Sequence, residues 1–203
     1  MENKHDKISG EEALKRLLDG NKRFINKKFI HRDFEEERKE TASGQNPFAI
    51  VLSCIDSRVP TEIIFDQGIG DVFNLRIAGN VISDDVLGSL EFACGLSGTP
   101  LIFVLGHTSC GAVKGACDHV EYGNLTGLLK KIYPAIKLTE TSPGESRKSD
   151  NLKFVNNVAI ENVRLSMQEI LDKSEIVKEK IDANEVLMVG GMYDISSGKV
   201  EMI

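Results

Sequence analysis

Cys54, Asp56 and Arg58 alternate along one short stretch, and His107 and Cys110 stand in another with two residues between them, His107 lying 49 residues beyond Arg58. Two thiols and an imidazole are soft ligands. Three such donors with a fourth position open describe a catalytic zinc site, whereas structural zinc sites are closed by four protein ligands. The His107/Cys110 pair alone is weak, because buried Cys and His are common as core residues. Its partner stretch strengthens it. Asp56 and Arg58 are two apart and share a side on an extended or tightly turning segment. An Asp beside an Arg stays ionised and can accept a two-pronged hydrogen bond. The alternative for this pair, a surface ion pair worth about 0–1 kcal/mol, fits poorly with its place directly after an apolar run.

The elements that must position these residues are legible from periodicity. Residues 48–53 and 100–105 are continuous apolar runs, the pattern of strands covered on both faces. Residues 72–77 and 185–189 read as two further strands, and 193–200 as a turn returning into an edge strand. Ser9-Gly10-Glu11-Glu12 has capping-box spacing before a helical stripe through Leu14, Leu17, Leu18 and Phe24. Residues 33–39 suit a short charged helix. Helices are expected over 86–93 from a start near Ser83, over 112–117, over 125–138 and over 151–172, with 139–150 an exposed loop. Alternating strands and helices predict an α/β fold: a mostly parallel central sheet with an antiparallel edge strand, helices on both faces, and an N-terminal helical arm. A single domain over 1–203 is expected, with the arm at about 1–42 and the α/β core at 43–203. The arm packs either on a partner subunit or on its own sheet. In such sheets ligands bind beyond the carboxyl ends of strands. Cys54 follows one strand, and His107 and Cys110 follow another, so all three belong on one rim.

Composition removes other classes. The net charge of -6 and the lack of a long basic run exclude a nucleic-acid surface or a polybasic membrane anchor as the expected role. No apolar run approaches the ~18 residues of a membrane helix. The charged start at residues 1–7 has no secretory h-region, so a cytoplasmic protein is expected. Four cysteines make no disulfide framework at this length. Cys94 and Cys117 read as small core residues. Neither glycine-rich phosphate-binding pattern is present.

The motifs C-x-D-x-R and H-x-x-C-G resemble those of the β-class carbonic anhydrases. The likeness continues through Gly44-Gln45-Asn46-Pro47, Arg76-Ile77-Ala78-Gly79-Asn80, Ser89-Leu90-Glu91-Phe92, Gly111-Ala112-Val113, Tyr193-Asp194 and Gly198-Lys199-Val200-Glu201, covering roughly residues 10 to 203. This resemblance implies a carbonic anhydrase that reversibly hydrates carbon dioxide to bicarbonate and a proton. It implies Zn2+ held by Cys54, His107 and Cys110, with zinc-bound hydroxide as nucleophile. Asp56 would orient that hydroxide, and Arg58 would hold Asp56 away from the metal. Gln45, reaching across a dimer interface, and the Gly111 N–H would contact substrate oxygens, while Phe73, Ala78 and Phe92 would line an apolar pocket. A homodimer or homotetramer is implied, with no nucleic-acid or membrane partner.

Two thiolates place more charge on zinc than imidazoles do, so a mildly alkaline active form is expected. A bicarbonate-regulated subgroup has Trp where this chain has Val51, although Arg76 and Tyr193 match its other two positions; bicarbonate inhibition of that kind is not expected. Related zinc sites also serve hydrolysis of carbonyl sulfide or carbon disulfide. A zinc protein without turnover would have no use for Asp56, Arg58 and Gln45.

Overall fold

Five strands form one sheet among the described residues: β1 (Ala49–Ser53), β2 (Val72–Arg76), β3 (Leu101–His107), β4 (Leu187–Tyr193) and β5 (Val200–Met202), in the order β2-β1-β3-β4-β5. The computed structural model describes residues 8–203, and the charged start at residues 1–7, on which the leader-free expectation rests, lies outside them. All neighbours are parallel except β4 and β5, which pair antiparallel. The predicted parallel sheet with an antiparallel edge is therefore present.

Helices cover both faces. On one side lie α1 (Gly10–Ile25) and α3 (Thr61–Ile64), with Ala13, Leu17 and Ile64 packed on Ala49, Val51, Leu101, Phe103 and Leu105. On the other lie α4 (Asp84–Glu91), α5 (Gly111–Cys117), α6 (Gly123–Lys130), α7 (Tyr133–Leu138), α8 (Leu152–Lys173) and α9 (Glu175–Asp182), packed on Ile50, Leu52, Ile102 and Val104. The alternate strand residues thus feed two cores, and this is why β1 and β3 are buried at every position and apolar over most of their length. Within the N-terminal segment, α1 packs on its own sheet. By contrast α2 (Phe34–Glu40) buries none of its residues.

The capping box forms as its spacing predicts: Glu12 N–H donates to Ser9 Oγ at 3.2 Å, and Ser9 N–H to Glu12 Oε2 at 2.8 Å. Ser9→Ala is expected to lower stability by about 1 kcal/mol, read as an earlier urea midpoint at unchanged slope.

Several boundaries differ from expectation. The stripe at 125–138 is two helices rather than one, because Pro134 stands in the first turn of α7, where its missing N–H costs nothing. The helix at α4 does not stop at residue 93 but continues through a π-turn, Phe92–Leu96. The strand expected at 185–189 starts at Leu187 and runs to Tyr193, so Tyr193 closes a strand instead of opening a turn. His107 likewise belongs to β3. Helices α3 and α9 have no counterpart in the sequence reading; α3 is four residues long, and α9 buries only Val177.

Candidate metal centre

From β1 the chain turns to β2 on one side, and from β3 it continues to β4 on the other. The crevice between the carboxyl ends of β1 and β3 is therefore a topological switch point, where departing loops leave room for a ligand. Cys54 follows β1 there. His107 ends β3, and Cys110 caps α5 after a two-residue turn.

The Sγ atoms of Cys54 and Cys110 and a ring nitrogen of His107 lie within 4.8 Å of one another. The two sulfurs are 3.9 Å apart. All three residues are buried, with His107 fully so. His107 Nδ1 lies 3.0 Å from the Thr108 carbonyl oxygen, a contact that makes Nδ1 the protonated nitrogen and leaves Nε2 a lone pair. Nε2 is buried and has no hydrogen-bond partner. An orphaned buried acceptor is costly, and a cation shared with two sulfurs would satisfy it.

The sulfurs behave as a pair. A hydrogen bond from the Cys110 thiol pulls Cys54 well below the ordinary thiol range. That same bond, together with burial, pushes Cys110 up. Without a cation the pair keeps one proton, and a divalent ion is the group that would expel it. Cys94 and Cys117 are different. They sit in the core, where burial raises them to about 12 and about 11, as small apolar residues do.

Asp56 sits at the rim, its Oδ2 4.0 Å from His107 Nε2. Arg58 holds it through three bonds: backbone N–H to Oδ1 at 2.9 Å, Nε to Oδ1 at 2.9 Å and Nη2 to Oδ2 at 2.7 Å. These bonds hold the carboxyl well below the usual carboxylate range, so Asp56 is an ionised acceptor throughout the neutral range.

Further groups brace this end of β1. Arg76 Nε donates to Cys54 O at 3.0 Å and Nη2 to Asp56 O at 2.6 Å, clamping the carbonyls on either side of Ile55. Gly79, at φ 66°, donates its N–H to Cys54 Sγ at 3.3 Å from the Ala78–Asn80 turn. Sequence reasoning marked Arg76 and Gly79 as motif residues without finding either contact. The Gly79-Asn80 pair after a strand was the available signal, since it marks a left-handed turn.

The fold brings Cys54, His107, Cys110, Asp56 and Arg58 together. Ala78 flanks Gly79 on its turn, and Gly111 opens α5 directly after Cys110. Gln45, Phe73 and Phe92 are not brought to the cluster within one chain. Gln45 is exposed on the loop before β1, with the five residues of that strand between it and Cys54, roughly 17 Å of sheet. Phe73 pairs with Ile50, four residues back from Cys54. Its ring packs edge-on against Phe92 at 6.0 Å, and both line an open groove of about 580 Å³ between β2 and α4.

A family model described as carbonic anhydrase matches residues 49–200. Over 193 residues the chain is 36% identical to carbonic anhydrase 2 of Mycobacterium tuberculosis, covering 92% of this chain and 89% of that protein. It is 36% identical to the carbonic anhydrase of Mycolicibacterium smegmatis over 196 residues, 94% of this chain and 91% of that one. Among solved structures, the β-carbonic anhydrase CafA of Aspergillus fumigatus superposes with a TM-score of 0.74 at 27% identity, covering 94% and 90% of the two chains. A tetrameric β-carbonic anhydrase of Sordaria macrospora shares the fold, with a TM-score of 0.70 at 23% identity over 83% of this chain and 90% of that one.

Proposed function

The chain belongs to the β-class carbonic anhydrase family, and from that premise we propose that it hydrates carbon dioxide to bicarbonate with zinc held by Cys54, His107 and Cys110. The observation that carries the metal assignment is the buried set of two sulfurs and one unpartnered imidazole nitrogen within 4.8 Å. Nitrogen and sulfur donors of this kind suit zinc better than magnesium or calcium, which take oxygen. When bound, zinc supplies the Lewis acidity that makes hydroxide available near neutral pH.

The protein's own groups then do the positioning. Asp56, kept ionised by Arg58, can only accept a hydrogen bond; taking one from the nucleophile's proton turns a lone pair toward carbon dioxide. Arg58 keeps that acceptor from swinging onto the imidazole 4.0 Å away. The Gly111 N–H, at the unpaired start of α5, can donate to oxygen as negative charge develops there. Ala78, next to the Gly79 whose N–H meets Cys54 Sγ, offers apolar surface, as a substrate without net charge or dipole requires.

Gln45, Phe73 and Phe92 reach the centre in this reading from a second copy of the chain, because their own copy holds them away from it. A homodimer or homotetramer follows. Exposed Phe29, Ile30, Phe34, Ile63 and Ile69 line an apolar groove of about 850 Å³, a surface that a subunit contact would cover. A cytoplasmic setting belongs to the same reading, supported by four cysteines that remain unpaired and buried. No helix among the described residues is long and apolar enough to cross a membrane.

The direct test is stopped-flow carbon dioxide hydration at pH about 8.5, with zinc determined on the same sample. Turnover with about one zinc per chain supports the reading; zinc without turnover at any alkaline pH refutes it. Arg58→Ala separates the roles of metal and acceptor. The variant is expected to keep its zinc and lose about a hundredfold or more in kcat/KM, since Asp56 is then free to turn onto the metal side. Full activity at full zinc occupancy would remove the Asp–Arg pair from the mechanism.

A further inference from the structure

The turns beside both sulfurs are held by one helix. Ser109, the residue between Thr108 and Cys110, is in the left-handed region at φ 56°, a conformation that a non-glycine residue keeps only when its surroundings hold it. Its N–H donates to Asn156 Oδ1 at 2.9 Å. The Ala78–Asn80 turn is the second case, with Gly79 at φ 66° and Asn80 at φ 44°. Asn162 Nδ2 donates to the Gly79 carbonyl oxygen at 2.9 Å, and Ser166 Oγ to that of Asn80 at 3.3 Å. Gly79 in turn presents its N–H to Cys54 Sγ.

Asn156, Asn162 and Ser166 all belong to α8, which packs across β3 and β4. The helix therefore grips the His107–Cys110 turn with one side chain and the turn behind Cys54 with two others. Neither Asn touches a donor atom, so each acts through backbone. Asn162 is only 4% exposed. Its amide orientation is set by a carbonyl partner, and that of Asn156 by an N–H partner.

We propose that Asn156 and Asn162 are positioning residues of the metal centre, together fixing the Cys54 sulfur relative to the His107–Cys110 turn. The inference rests on the zinc reading above. An N–H aimed at a thiolate tempers its donor strength, and outer partners of this kind commonly change metal affinity about 10–100-fold when removed. The two sulfurs belong to residues 56 apart in the sequence, just beyond the ends of β1 and β3, so their separation depends on a brace that spans both strand ends. Such a brace is what α8 provides.

The test uses the full chain, prepared metal-free and then titrated with zinc against a chromophoric chelator or loaded with Co(II). Thiolate-to-Co(II) and ligand-field bands report the donor geometry without any turnover measurement. Asn162→Leu and Asn156→Leu are each expected to weaken zinc binding about 10–100-fold and to shift the Co(II) bands. Asn156→Asp keeps an acceptor for Ser109 N–H and is expected to keep the unaltered spectrum. Val158→Ala, a core truncation on the same helix, should destabilise the metal-free chain yet leave zinc affinity within about twofold. If Asn162→Leu does not fold, the half-buried Asn156 pair decides the matter. Leu variants at 156 and 162 that keep normal affinity and bands, or lose no more than Val158→Ala does, overturn the inference while leaving the zinc site intact. An unaltered chain that binds neither ion would instead sink the zinc reading and this inference with it.

Discussion

Cys54→Ser is expected to remove bound zinc and carbon dioxide hydration together, with turnover reduced at least about a thousandfold. Ser offers a hydroxyl that stays protonated where the thiol becomes a thiolate, so one of three protein donors is lost outright. The Gly79 N–H would lose its sulfur, and His107 Nε2 would keep its unpartnered lone pair. Thermal unfolding gives a second measure. Zinc at 1,000 times its dissociation constant stabilises a folded chain by about 4 kcal/mol, so added zinc should raise the melting temperature of the parent chain and not that of the variant. The sign with pH also follows. The Cys54–Cys110 pair retains a proton that the metal must expel, so zinc affinity should rise as pH rises. A Cys54→Ser protein that keeps one zinc per chain and its turnover would show that the metal lies elsewhere.

Gly20→Ala is expected to cost about 3 kcal/mol or more. A Cβ at Gly20 would stand 1.7 Å from the Phe65 carbonyl oxygen and 2.7 Å from its carbon, backbone that cannot move aside as a side-chain tip could. Helix α1 would have to lift from the sheet, exposing Ala13 and Leu17, which are now fully buried. Asn21, which donates to Ile64 O and Gly198 O and accepts from Val200 N–H, would lose partners that tie α1 to α3 and β5. For a chain of this size the loss corresponds to roughly 6–12 °C in melting temperature. Gly127→Ala is the matched control. Gly127 is exposed within α6, where an added Cβ meets nothing within 4 Å, so Ala should stabilise by about 0.5–1 kcal/mol. Calorimetry showing the same sign for both substitutions would refute the packing account of Gly20.

Elements with strong local signals were legible in advance. Ser9 caps α1 where its spacing predicts, and Ser83 and Asn151, read as helix starts, are the N-caps of α4 and α8, because a cap is decided by one side chain and the three residues after it. The apolar runs of β1 and β3 were legible because both faces of a central strand are covered. Helix α3 escaped notice because four residues carry no period, and the α6–α7 break because a helical stripe reads through Pro134. The start of β4 was misplaced by two residues. Its edge-side residues Leu187, Met188 and Val189 are only partly buried, and Glu185 stands outside the strand.

The candidate donor set, the Asp–Arg pair beside it and the alternation of strands and helices are legible from the sequence alone, since each rests on residue type and short spacing. Strand order is a tertiary matter: β1 lies between β2 and β3, which brings the Cys54 Sγ to 3.9 Å from the Cys110 Sγ. The same packing lets α8 hydrogen-bond to both turns and holds Gln45, Phe73 and Phe92 away from their own chain's Cys54–His107–Cys110 cluster. The difference is one of range. Caps and periods are set over a few residues, whereas strand order and the reach of a side chain across a sheet follow from how two hydrophobic faces are buried at once.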